Sequence, residues 1–245
     1  MKYSINKIAR IGGILYLIII ATGLFGEAFV RAKLVVWSDP TATANNITSH
    51  NVLWRIGIAG DLIQHICDVP LMLIFYILLK PVNKYFALLA LLFNLIQSAV
   101  LVATKLNLFT PLFLLGKADY LTSINAQHLH ALSLVSIRAD AYGFGLGLIF
   151  FGLVCIITGY LIFKSEYFPK LLGVLMQIAG VCYLINSFSL ILTPKFTSMI
   201  SPAILIPSFF GELWLCLWLI IKGVNVPKWE EKARRLRVGV ESAFI

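Results

Sequence analysis

Apolar residues do not alternate with polar ones along this chain; they run together. Six stretches are each long enough to carry the roughly 20 apolar residues that a helix needs to cross a bilayer: Ile8–Val30, Val52–Leu79, Tyr85–Leu108, Arg138–Phe163, Leu171–Leu192 and Ala203–Ile221. Helical periodicity in "NAQHLHALSLVSIRADAYG" extends the fourth towards Gln127. The pattern predicts an all-α integral membrane bundle of six spans over residues 1–225, followed by a basic tail over 226–245. In the first outer loop, Asp39 before Pro40 reads as an N-cap with proline at the first helical position, which predicts a short surface helix.

Composition agrees. The 245 residues are 60% hydrophobic and 13% charged, whereas a soluble domain has about 45–50% apolar and 25% charged residues. The net charge of +9 does not signal nucleic acid, because the basic residues gather at the ends of apolar runs. Thirteen of the 20 basic residues, from Lys2 to Arg237, fall on one side when the N-terminus is placed inside. That bias predicts that both termini are cytoplasmic, with the lipid bilayer as the main partner. The tail "KWEEKARRLRVGVESAFI" is expected in the cytosol or against anionic lipid. Cys67, Cys155, Cys182 and Cys216 lie in apolar segments without C-x-x-C spacing and read as buried small hydrophobes.

The second span breaks the apolar run. In "DLIQHICDVP", Asp61, Gln64, His65 and Asp68 recur at i, i+3, i+4 and i+7 and so share one helix face. An Asp at mid-membrane costs about 2.5–3.5 kcal/mol on the insertion scale, and each Leu, Ile, Val or Phe returns only about 0.3–0.6. This face must therefore meet partners, protons or water inside the bundle. Pro70 follows and predicts a kink with a freed carbonyl at Ile66. Polar residues at matching depth are Glu27, Asn94, Gln97, Asp140 and Glu212, with Lys105 nearby, and Arg138 and Asp140 are placed to pair with each other.

The nine residues Glu27, Asp61, Gln64, His65, Asp68, Asn94, Gln97, Asp140 and Glu212 are expected to build an outward-facing polar pocket, with Asp61 and Asp68 as charged ligand groups. Embedded acids outnumber the embedded bases Lys105 and Arg138, so a cation, an amine, a proton or another small polar ligand is the expected occupant. The rival is a structural or accessory protein whose polar network only locks the bundle. A metal-dependent hydrolase using Asp61 and His65 is a weaker alternative: no H-E-x-x-H, G-x-S-x-G, Walker or Rossmann motif is present, and no cofactor is expected. Gly145, Gly152 and Gly159, seven apart, strip one side of the fourth span for close helix contact. The expected contact lies within the bundle, with an oligomer as the alternative.

Several blocks taken together resemble a known family. "ARIGGILYLIIIATGLFGE", "TATANNI", "LWRIGIAGDLIQHICDVPLMLIFYILLKPVN", "NLFTPLFLL" and "DAYGFGLGLIFFGLVCIITGYLIFKSEYFPKLLGVL" are similar, in order and spacing, to the bacterial membrane proteins grouped as domain of unknown function 4386. The likeness runs from about Ala9 to Asn225. It implies a polytopic bacterial membrane protein, expected in the cytoplasmic membrane, and carries no activity with it. Members often have a histidine just before the A-Y-G of the fourth span; Asp140 and Ala141 occupy that place here, so no role of that histidine carries over.

Overall fold

The computed structural model describes residues 4–116 and 118–241, with side chains described as far as residue 236. Lys2, the Arg237 side chain and residues 242–245, which entered the charge and domain readings, lie outside them. In chain order the helices are α1 (Ile5–Leu24), a π-helical segment (Phe25–Arg31), α2 (Ala32–Leu34), α3 (Pro40–Ser49), α4 (Asn51–Leu79), α5 (Lys84–Thr104) and α6 (Leu106–Leu114). There follow a 3-10 turn (Asp119–Leu121), α7 (Ala126–Ser165), α8 (Lys170–Leu192), α9 (Pro194–Ile200), a second 3-10 turn (Ala203–Leu205), α10 (Ile206–Ile221) and α11 (Val226–Glu241). Among the described residues, six helical stretches are long and apolar enough to cross a membrane.

Element by element, the apolar pattern placed the spans well and their ends less well. The fourth span is one helix of 40 residues, longer at its start than the apolar run because its first turns are polar. The third is broken: α5 stops at Thr104, and α6 begins after Lys105. The second continues as helix through Pro70. Asp39 caps α3, its Oδ1 accepting from the Thr41 and Ala42 amides at 2.9 Å each, with Pro40 at the first helical position.

The chain divides into two compact units. One comprises Ile18–Ile66 and Ser98–Gly147. Its core joins Val30, Leu34 and Val35 to Ile47, Trp54, Ile58, Leu108, Leu134 and Ile137. Trp54 is buried, and its indole Nε1 donates to the Leu108 carbonyl at 2.9 Å, so this large apolar side chain leaves no polar group unpaired. The surface helix α3 is tied down by Thr43, whose hydroxyl bonds both the amide (2.8 Å) and the carbonyl (3.0 Å) of Val36. Asn46 adds a bond from Nδ2 to the Leu34 carbonyl at 3.2 Å.

The other unit comprises the chain up to Leu17, Cys67–Gln97 and the chain from Leu148 on. Its α7 and α8 pack backbone to backbone. A Cβ on Gly159 would stand 2.6 Å from the Gly173 carbonyl oxygen, and one on Gly180 would stand 2.5 Å from that of Gly152. Gly152 and Gly159 of the expected stripe are thus consumed inside the chain, because only a residue without a side chain admits such an approach.

The tail folds as α11 and docks within this second unit. The Asn225 amide donates to the Tyr167 carbonyl at 3.2 Å, and the Trp229 indole donates to the Leu78 carbonyl at 3.0 Å. Lys232 Nζ reaches the Lys164 carbonyl at 3.0 Å and Glu166 Oε1 at 2.9 Å. Glu166 sits at φ 67, in the left-handed region, where the chain turns between α7 and α8.

Candidate functional site

In the unit holding Ile18–Ile66 and Ser98–Gly147, the buried charges form an alternating series. Arg31 grips Asp61 with two hydrogen bonds, Nη1 to Oδ2 at 2.7 Å and Nη2 to Oδ1 at 3.2 Å. Its Nε donates to Glu27 Oε2 at 2.7 Å. Lys105 Nζ stands 3.6 Å from the same Asp61 Oδ2 and spans both oxygens of Asp140, at 3.0 Å from Oδ1 and 3.1 Å from Oδ2. The order Glu27–Arg31–Asp61–Lys105–Asp140 begins at an exposed carboxylate, with the Glu27 side chain 73% accessible. It ends on side chains of which only 3–5% is accessible.

Local backbone makes this possible. The π-helical turn over Phe25–Arg31, closed by the Ala32 amide donating to the Glu27 carbonyl, brings Glu27 and Arg31 together. Such turns are rare, and they concentrate at functional sites. Gly26 clears the space: a Cβ there would stand 2.6 Å from Asp61 Oδ1 and 3.0 Å from Arg31 Nη2. Lys105 sits at the break between α5 and α6. On α7, Gly143 lets the chain close on Thr104, whose Cβ would lie 2.8 Å from an added methyl. Two of the elements supplying charges are therefore irregular where they supply them.

The second-span face lies as its spacing requires. Asp61, His65 and Asp68 are buried, and Gln64 is half-buried over Gly23. His65 Nδ1 has no protein hydrogen-bond partner. One sequence expectation changes. Arg138 does not pair with Asp140; its Nη2 donates to the Trp37 carbonyl at 2.9 Å and its guanidinium lies over the Trp37 ring. Acids still outnumber bases among the described buried side chains, Asp61, Asp68, Asp140 and Glu212 against Lys105. Arg31, which its place near a span end disguised as an interfacial charge, balances Asp61, and Lys105 serves Asp140. Within the subset Arg31, Asp61, Lys105 and Asp140, of which Arg31 is half-buried and the others buried, two basic groups face two acids.

The remaining expected residues belong to the other unit. Asn94 Nδ2 donates to Asp68 Oδ2 at 3.0 Å. The side-chain oxygens of Asn94 and Gln97 are buried without a hydrogen-bond partner. Glu212 on α10 accepts from two phenols that the sequence reading passed over: Tyr16 on α1, at 3.1 Å to Oε2, and Tyr183 on α8, to Oε1. Phe75 stands edge-on to Tyr16 and Phe151 lies against Tyr183, closing the carboxylate in aromatic rings. Among the described residues no three His, Cys, Asp or Glu side chains converge as metal ligands. Asp61 in particular spends its oxygens on Arg31 and Lys105.

These features define a class: a multi-pass helical membrane protein in which acidic and basic side chains are buried along span-length helices. The chain belongs to a family known by one description, Domain of unknown function (DUF4386), whose model matches residues 11–223. A relative from the archaeon Archaeoglobus fulgidus, described only as an uncharacterized protein, is 30% identical over 166 residues, 68% of this chain and 83% of its own. No solved structure matches.

Proposed function

We propose that this chain is a small membrane carrier or receptor whose ligand site is the Arg31–Asp61–Lys105–Asp140 network, opened by exchange of ion-pair partners. The carrying observation is the position of Lys105, which bridges two carboxylates but reaches Asp61 only at 3.6 Å. Pairing that exists only to stabilise is poorly served by buried charge, since well-packed apolar residues of similar volume are often as stable or more so. A chain of alternating charges can instead trade partners at constant net charge. Within the four-residue site two cations face two anions, which favours a small zwitterion or a neutral polar molecule over a bare cation. A ligand amine would take Asp140 or Asp61 from Lys105, and a ligand carboxylate would take the released ammonium. His65 Nδ1, buried and unpartnered, supplies one more polar contact. With both termini in the cytoplasm, as the basic-residue bias supports, Glu27 marks the outward entrance.

Thermal unfolding of detergent-purified protein against the common amino acids and betaines tests this reading. At least one compound should raise the midpoint, and Asp140→Asn should abolish that rise while still folding. If no member of the set moves the midpoint, the proposal fails. A second reading has its own observation: the two-bonded grip of Arg31 on Asp61, fitted over Gly26, suits a fixed lock between helices. Under it, substitutions lower stability and change no binding.

A further inference from the structure

We propose that Glu212, held between Tyr16 and Tyr183, is a proton-binding site that takes up and releases one proton while the chain stays folded. It is separate from the ion-pair network and does not depend on that network's binding a ligand.

The setting of Glu212 differs in kind from that of Asp61 and Asp140. Those carboxylates meet ammonium or guanidinium groups. Glu212 is only 8% exposed, and among the described residues it makes no ion pair. Its two oxygens each receive one phenolic hydroxyl. Burial opposes the charged carboxylate, and two charge-assisted O–H donors favour it. These opposing effects keep both protonation states within reach of one folded structure. Among the described residues, the titratable groups whose charge acts on the site are Asp68 on α4 and Cys155 on α7, besides the tyrosines on α1 and α8. None of them is a cation, so a proton is the economical source of positive charge. A metal ion fits poorly, because hard cations take six or more oxygen ligands and both carboxylate oxygens here are already engaged by phenols.

Loading adds one proton to a carboxylate oxygen and breaks no other covalent bond. The new carboxyl O–H donates to one phenol oxygen while the second phenol continues to donate to the remaining carboxyl oxygen. The two tyrosines therefore serve both states by turning hydroxyl hydrogens. Phe75 packs edge-on against Tyr16 and Phe151 against Tyr183, so both phenols are held by neighbouring rings.

Infrared difference spectroscopy of the lipid-reconstituted full chain across a pH titration tests the site. The expected result is a carboxylic-acid carbonyl band that appears as pH falls and is lost in Glu212→Gln. Tyr16→Phe and Tyr183→Phe should each keep the band but move it to higher frequency, because the carboxyl then has one hydrogen bond fewer. A band unaltered by Glu212→Gln overturns the proposal, as does a wild type in which no such band titrates. A band that responds to sodium or potassium at fixed pH overturns it in favour of a metal cation. Should Glu212→Gln fail to fold, the phenylalanine variants decide: a moved band supports the site, and an unmoved one refutes it.

Discussion

Arg31 and Asp61, thirty positions apart in the chain, meet through a two-point contact, with Nη1–Oδ2 at 2.7 Å and Nη2–Oδ1 at 3.2 Å. A planar fork on a carboxylate fixes direction as well as distance. Removing one member of such a buried pair strands the other, at a cost of about 3–5 kcal/mol. Asp61→Asn should therefore lower the thermal midpoint of the detergent-solubilised protein sharply. Arg31→Lys should recover only part of the loss, since an ammonium cannot fork. The double change Arg31→Gln with Asp61→Asn should cost less than the sum of the singles. Full additivity in that cycle would show that the pair is not coupled.

Gly26 tests the same contact from the backbone side. Its missing side chain is the space that Asp61 Oδ1 and Arg31 Nη2 occupy, so a methyl there must displace a charged group. Gly26→Ala should destabilise by about 1–3 kcal/mol, as overpacking does. It should also weaken the Arg31–Asp61 coupling measured in the double-mutant cycle. A midpoint equal to that of the unaltered protein would remove Gly26 from the account.

The α7–α8 seam makes a different demand. Gly159→Ala should destabilise by about 1–3 kcal/mol, because the added carbon would lie 2.6 Å from the Gly173 carbonyl oxygen. Since this packing lies within one chain, the mass of the detergent-solubilised particle, measured by light scattering, should not change. A halved mass would assign the glycines to an interface between copies instead.

The docking of α11 should depend on pH. Lys232 donates to Glu166 and holds its carboxyl below the ordinary glutamate range. A carboxylate whose folded value is lowered contributes fully above its unfolded value. That contribution disappears as pH falls through the folded value. The protection factors of the α11 amides, which compare each exchange rate with its intrinsic value at the same pH, should therefore be high near neutral pH and fall under acid, and Glu166→Gln should remove that pH dependence. Because Glu166 is fully exposed, the effect should also shrink in high salt.

Much of this was readable from residue order. The apolar runs located the spans, and the i, i+3, i+4, i+7 spacing located the buried face of α4, because lipid tolerates no other placement of those side chains. The Asp39–Pro40 cap was equally local and equally legible. Partner identity was not. Arg31 lies close to a span end, where basic side chains ordinarily extend to the interface, and only the π-helical turn directs it inward. Tyr16 and Tyr183 look like ordinary aromatic residues in apolar helices; their hydroxyls acquire meaning only when three helices bring them to Glu212. The oxygens of Asp61 and Asp68 could be placed on a face but not assigned to Arg31 or Asn94, since nothing in a one-dimensional spacing says which neighbour arrives opposite.

The widened turn at Phe25–Arg31 accommodates one residue beyond ordinary helical winding. Each residue of an α-helix advances the azimuth by about 100°. Excising a single lipid-facing position such as Phe29, which is 66% exposed, would let the strand rewind to regular pitch and swing the guanidinium away from its acid. One surplus residue thus acts as the gear tooth that sets the angular phase of the outer end of α1, and a change in length there would do more damage than many changes of identity.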